Sequence, residues 1–222
     1  MPGIIDKKLL CRLLVVAIAF SSLAAFAKDG EKQIAIQQDV AKAELIKLSV
    51  PAGDVEIIGT TGNTLTAEAT ATCQHKDRQA CYKLLQQLDW NKQIGSIAEF
   101  ALAPTGISNY NNISIKVKVS VPEDKKLEVS LSAGALNISG TSACLIADLN
   151  AGEINITLKE NQLASASLSS KVGDVRLTTI NGETIEGERS LLIGAKLDWT
   201  KGAGSCHTKA SVLTGEANLT LN

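Results

Sequence analysis

The sequence predicts an all-β protein: a short, single-domain β-solenoid of stacked coils with a period of about 21 residues and one inserted amphipathic helix. Three observations lead there. A glycine-headed phrase returns along the chain as AGDVEIIG (Ala52–Gly59), AGALNISG (Ala133–Gly140), AGEINITL (Ala151–Leu158), VGDVRLTT (Val172–Thr179) and TGEANLTL (Thr214–Leu221). Within each phrase apolar and polar residues alternate, the period of a strand with one buried face. The heads are also regularly spaced: Gly173 follows Gly152 by 21 residues, Gly215 follows Gly173 by 42, and Gly134 precedes Gly152 by 18.

The chain opens with a secretory signal pattern. Lys7, Lys8 and Arg12 precede the apolar run Leu13–Phe20, and Ala25-Phe26-Ala27 supplies the small-x-small cleavage pattern. Residues 1–27 are therefore expected to be removed, and Cys11 with them, leaving 28–222 as one domain. A spanning helix wants about 20 apolar residues, so no integral membrane segment is expected after cleavage. The whole chain carries a net charge of −1, and cleavage removes three basic residues and one acidic one, leaving about −3. That balance excludes nucleic acid and anionic membrane surfaces as partners, since both need concentrated Lys and Arg.

Each phrase is expected to turn inward the pairs Val55 and Ile57, Leu136 and Ile138, Ile154 and Ile156, Val175 and Leu177, and Ala217 and Leu219. Gly53, Gly134, Gly152, Gly173 and Gly215 would occupy corners whose backbone angles a Cβ disfavours. Gly194 falls on the same grid, but Ile193, Ala195, Leu197 and Trp199 alternate with the opposite parity, marking an irregular unit. Only 3% of the residues are aromatic, which suits a narrow aliphatic core. Residues 75–90 (HKDRQACYKLLQQLDW) place Ala80, Leu84, Leu85 and Leu88 at helical spacing, predicting an amphipathic helix over an end of the stack. Residues 95–112 read as a hairpin or loop turning at Pro104-Thr105-Gly106, and Ile113 to Val121 as a strand ended by Pro122.

The run from Ser114 to Leu158, with its Val121-Pro122 turn, its Leu127-Glu128-Val129 and its Gly-acid-aliphatic phrases, resembles a bacterial β-strand-repeat family of putative adhesins, auto-transporter-adhesin-like domains of unknown function. The resemblance covers most of the chain beyond residue 27 and implies attachment at the cell envelope or surface. The helical insertion and its cysteines lie outside the shared pattern.

Cys73 and Cys81 flank one loop and are expected to form a disulfide, as suits an exported chain. Cys144 and Cys206 fall in coils about three rungs apart, some 14 Å on a rung spacing of about 4.8 Å. A disulfide spans at most about 7 Å between Cα atoms, so these two are expected to be unpaired, with Cys206 buried. Cys73, His75 and Cys81 offer three zinc ligands, and His207 sits beside Cys206, but no fourth ligand stands near in the sequence, so the disulfide is the preferred reading.

Asp54, Glu153, Asp174 and Glu216 follow repeat glycines. Stacked, they could ligate calcium, but they lack the short, glycine- and aspartate-dense period of calcium-binding repeats, and turn residues facing water is the preferred reading. Asn137, Asn155 and Asn218 share one outward slot with Glu56 and Arg176, expected as a solvated amide ladder. No nucleophile motif, phosphate-cradling loop or cofactor signature is present. Trp90, Trp199, Tyr82 and Tyr110 are scattered over unrelated elements. The sequence thus points to a noncatalytic, exported envelope or surface module in the periplasm or outside the cell, without cofactor or metal, whose partner would be an envelope protein or glycan. The alternative is a small polysaccharide-active β-helix enzyme, which would need paired carboxylates in a groove.

Overall fold

Five strand pairs or long strands run parallel, in register, and all bend at a repeat glycine. The computed structural model describes residues 30–74, 78–104, 113–142, 144–190, 193–200 and 202–222. The first rung is β2 (Leu45–Val50) continued by β3 (Gly53–Thr60). Beside it lie β8 (Lys126–Ser139), β9 (Leu145–Leu158), β15 (Cys206–Leu221), and finally β10 (Leu163–Val172) continued by β11 (Val175–Thr178). Gly53 pairs with Gly134, Gly134 with Gly152, and Gly152 with Gly215. Their φ angles lie between +127° and +139°, Gly173 included.

What the corner does is visible in the spacing of buried residues. In every rung the last inward residue before the glycine and the first after it are five positions apart: Val50 and Val55, Leu131 and Leu136, Leu149 and Ile154, Val212 and Ala217, Ser170 and Val175, all at most 5% exposed. A strand of strict period two would send residues five apart to opposite faces. The corner resets the parity, so the two arms of the bent sheet bury their inner faces in one core. All ten inward residues expected from the phrases are buried there.

The rungs are not in chain order. The sheet runs β2/β3, β8, β9, β15, β10/β11, with the C-terminal strand inserted between two strands that follow one another in sequence. The structure is one open sheet, and a solenoid of successive 21-residue coils is not shown. The Gly194 unit is the clearest departure. β14 (Gly194–Trp199) runs antiparallel to β10, with Ala195 opposite Ser170 and Trp199 opposite Ala166. Its parity follows from that register, which sets Ala195, Leu197 and Trp199 opposite the inward-facing Ser170, Leu168 and Ala166.

Antiparallel strands finish both ends. At the β10/β11 end, β12 (Thr184–Glu186) pairs with β11 and β13 (Glu188–Ser190) pairs with β14. The chain passes from one arm to the other at Gly187, whose N–H donates to the Val175 carbonyl at 2.9 Å. At the other end β7 (Ile113–Pro122), β4 (Thr64–Cys73) and β1 (Glu31–Asp39) extend one arm. There β6 (Ile97–Ala103) and β5 (Asp89–Gln93) extend the other; β7 and β6 still run parallel to β3 and β2, and the antiparallel strands are β4, β1 and β5. The arms approach again where Lys92 Nζ donates to Gln38 Oε1 at 2.8 Å.

The helix is shorter than expected: α1 spans Arg78–Gln87, residues 75–77 lie outside the described residues, and Asp89 and Trp90 belong to β5. Leu88 and Trp90 are both buried at period-two spacing, and Trp90 stands opposite Leu102, so strand pairing ends the helical pattern. Lys32 Nζ on β1 donates to the carbonyls of Gln86 (3.2 Å) and Leu88 (2.6 Å), placing a cation at the helix C-terminus. A hairpin turns near Gly95, since β5 and β6 flank residues 94–96, while Thr105 and Gly106 of the expected Pro104-Thr105-Gly106 turn lie outside the described residues. Residues 105–112 lie outside the described residues, as do the signal pattern in 1–27 and Cys11.

Gly152→Ala tests the corner. A Cβ at Gly152 would overlap the Gly134 carbonyl, at a φ of +133°. Gly62 also has positive φ but open space around it. Urea unfolding is expected to show a loss of about 3 kcal/mol or more for Gly152→Ala and about 1 kcal/mol for Gly62→Ala. Equal losses would show that conformation alone, and not stacking, sets the cost.

Candidate binding face and disulfide framework

On the outer surface of the β3/β11 arm, three polar rows cross the rungs. The register places Glu56, Asn137, Asn155, Asn218 and Arg176 in one line. Asn155 Nδ2 donates to Asn137 Oδ1 at 3.2 Å, and Asn218 Nδ2 donates to Asn155 Oδ1 at 3.1 Å. The line is closed by Lys118 against Glu56 at 3.8 Å. Two residues further along the rungs lie Ser139, Thr157, Thr220 and Thr178. Amides and hydroxyls thus repeat at the rung spacing of about 4.8 Å on a rigid backbone.

The third row holds Asp54, Ala135, Glu153, Glu216 and Asp174. Ala135 interrupts the acids, and three of the four have a donor or cation beside them. Arg176 lies 3.6 Å from Glu216, Arg189 lies 2.6 Å from Asp174, and Asn218 donates to Glu153 at 3.2 Å. Among the described residues no group of three or more His, Cys, Asp or Glu could hold a metal ion. The carboxylates are spread along the stack, with Glu153, Asp174 and Glu216 each facing a cation or amide, where a calcium site needs them converging.

Cys73 and Cys81 are bonded, with Cα atoms 5.9 Å apart, tying α1 to the end of β4. Cys144 and Cys206 are also bonded, with Cα atoms 4.6 Å apart, which corrects the unpaired reading. The expectation rested on rungs stacking in chain order; with β15 beside β9, the two cysteines start adjacent strands. Cys206 is half-buried, not buried. His207 faces Ser165, with Nδ1 and Oγ at 2.7 Å, and its neighbour Cys206 has no thiolate to offer a metal. His75 and Tyr110 lie outside the described residues. Trp90 and Trp199 are 7% and 5% exposed, so both indoles fill the interior and neither forms a surface platform.

On the outer side of the other arm is a cluster that sequence reading missed, because its members come from two strands, β10 and β14, that only the fold brings side by side. Ser167 Oγ donates to Asp198 Oδ1 at 2.7 Å, and Lys196 Nζ lies 2.7 Å from Asp198 Oδ2. The hydrogen bonds from Lys196 and Ser167 hold the Asp198 carboxyl below its usual range, and Asp198 raises Lys196. Both groups are exposed. A cavity of about 530 Å³ lies where the β9–β10 connection, the β11–β12 turn and Asn222 meet, lined by Lys159, Glu160, Asn161, Ile180, Ala203 and Asn222. It contains one carboxylate side chain, Glu160. No described helix is long and apolar enough to cross a membrane.

No family model matches the chain, and no curated protein matches it. Solved structures do. A "putative cell adhesion protein" from Clostridium sporogenes matches with a TM-score of 0.50 at 12% identity, covering 86% of this chain and all of that one. A "putative adhesin" from Parabacteroides merdae matches at 11% identity and TM-score 0.28, over 84% of this chain and 80% of its own. A "putative lipid binding protein" from Parabacteroides distasonis matches at 12% identity and TM-score 0.26, over 57% of this chain and 55% of its own. The Clostridium structure shares the fold; the other two superpose too loosely to bear on it.

Two outcomes follow. Replacing Cys144 and Cys206 by serine is expected to cost about 4 kcal/mol, against about 2.5 kcal/mol for the Cys73/Cys81 pair, since the sequence separations are 62 and 8 residues. Denaturant titration of the two double variants gives the comparison, and the reverse order would contradict a loop-entropy origin. For Asp198 the folded pKa is depressed, so its contribution is present above the unfolded value and lost as pH falls through the folded one. Acid titration of Asp198→Asn against the parent should differ only in that acid window, and less at high salt.

With rungs, rows and disulfides in place, the chain is an all-β, one-sheet protein similar in fold to a structure named for cell adhesion, with a disulfide pattern consistent with export.

Proposed function

We propose that this protein is an exported, noncatalytic module of the cell envelope or surface, a member of the β-strand-repeat adhesin-like family, that binds a protein or glycan along the outer face of the β3/β11 arm. The observation that carries the reading is the register. One outward slot on four adjacent rungs is filled by Asn137, Asn155, Asn218 and Arg176, with amides bonded along the line. A face of this kind offers hydrogen-bonding groups at fixed spacing without side-chain ordering on binding. The shared fold with the Clostridium structure supports attachment, and the two disulfides support an oxidising compartment. Residues 1–27 supply the export signal in this reading, and 28–222 the domain.

The test has two arms. Protease treatment of intact cells carrying a tagged copy is expected to cleave it; protection until the outer membrane is opened would retire adhesion in favour of a periplasmic partner. The triple variant Asn137→Ala, Asn155→Ala, Asn218→Ala is expected to weaken attachment about tenfold or more while unfolding within about 1 kcal/mol of the parent. Unchanged attachment would move the binding surface elsewhere.

A further inference from the structure

We propose that β15 is an exchangeable strand: the place it fills between β9 and β10 also accepts β15 from a second copy of this chain. The sheet order supplies the first reason. β9 and β10 follow one another in the chain, joined by residues 159–162, yet stand two places apart, with β15 parallel to both. The β9–β10 unit therefore frames a strand-wide opening of about 9.6 Å between strand axes. Nothing on the β9 and β10 sides of that opening depends on which copy donates the strand. Ala210, Val212, Ala217, Leu219 and Leu221 would fill the same core layers in either case.

The second reason is the path by which β15 arrives. β14 lies on the far side of β10, and six residues, 200–205, must double back across the start of β10 to reach the opening. That crossing is tight. A Cβ at Gly202 would overlap the Leu163 carbonyl, and one at Gly204 would overlap Gln162. Opened out, the same segment carries β15 away from its own sheet. The two arrangements then differ only in this hinge and in the association of copies, which concentration favours.

The third reason is the position of the covalent lock. Cys206 begins β15 and Cys144 immediately precedes β9. A disulfide-class oxidant that takes two electrons from the two thiols, forming their S–S bond and leaving as two thiols with the protons, fixes whichever arrangement is present. In an exchanged pair, Cys144 bonds Cys206 of the other copy, and the assembly survives denaturation.

The experiment refolds an equal mixture of normal and heavy-isotope full-length chains, reduced and denatured, at low and high protein concentration, and oxidises it with oxidised glutathione. Mass spectrometry then reads the linked peptides. Mixed-isotope Cys144–Cys206 pairs are expected to rise with concentration towards about half of all such pairs, while Cys73–Cys81 stays within one copy. Same-copy Cys144–Cys206 pairs at every concentration, or mixed pairs scattered over all four cysteines, would overturn the proposal. Deleting residues 200–204 gives an independent reading. Trp199 and Cys206 would then be two Cα steps apart, at most about 7.6 Å, too short for the two sheet places of about 9.6 Å. The variant is expected to fold as a dimer or larger assembly; a folded monomer bearing its own Cys144–Cys206 bond would refute the exchange. Neither readout involves attachment, so failure here leaves the proposed binding face standing, and the reverse.

Discussion

The fold depends on a close contact between backbones: at each corner the repeat glycine of one rung rests on the carbonyl of the rung beside it. Ile115 supports Gly53, and the contact passes on through Gly134, Gly152, Gly215 and Gly173. Strands in a flat sheet keep a pleat and alternate faces. These strands turn together, at one line, because no side chain intervenes and every glycine holds a φ that residues with a Cβ rarely adopt. Everything inside follows from the turning. The aliphatic layers face one another across it, and Ser170, the single polar residue at its place in the last rung, is accommodated by donating to the Gly215 carbonyl at 2.8 Å.

Because the rungs are in register, each row of the outer surface is a row of equivalent sequence positions. This is why so much of the outer face could be read in advance: Asn137, Asn155 and Asn218 occupy the same place in their phrases, and strand alternation alone sends them outward. The inward set and the corner glycines were equally legible, since period-two burial and glycine punctuation are local signals. What could not be read was the order of rungs. Periodicity reports that units are alike and says nothing about which stands beside which. The 21-residue spacing of Gly152 and Gly173 suggested neighbours, yet Gly215 lies between them.

The expectation that Cys144 and Cys206 stand unpaired has the same origin, a stacking distance counted along the chain. The helix boundary failed for a different reason. Leu84, Leu85 and Leu88 fit a helical stripe, but Leu88 and Trp90 also fit a strand, and pairing with β6 decided between them. Short apolar stretches carry both periods, and only a distant partner selects one. The Ser167–Asp198–Lys196 cluster likewise exists only because an antiparallel β14 brings two of its members beside β10.

The constant five-residue interval across each corner makes the rungs a counting device. Substitution on the outer rows leaves the count intact, so the surface is free to vary in chemistry. A single-residue insertion between Leu149 and Ile154 would invert one arm of that rung and drive its aliphatic residues into water, while the same insertion between β5 and β6 near Gly95 would lengthen only a turn. Length variation among relatives of this chain should therefore concentrate between strands, with the glycine line as a fixed ruler against which distant sequences can be aligned when little else in them agrees.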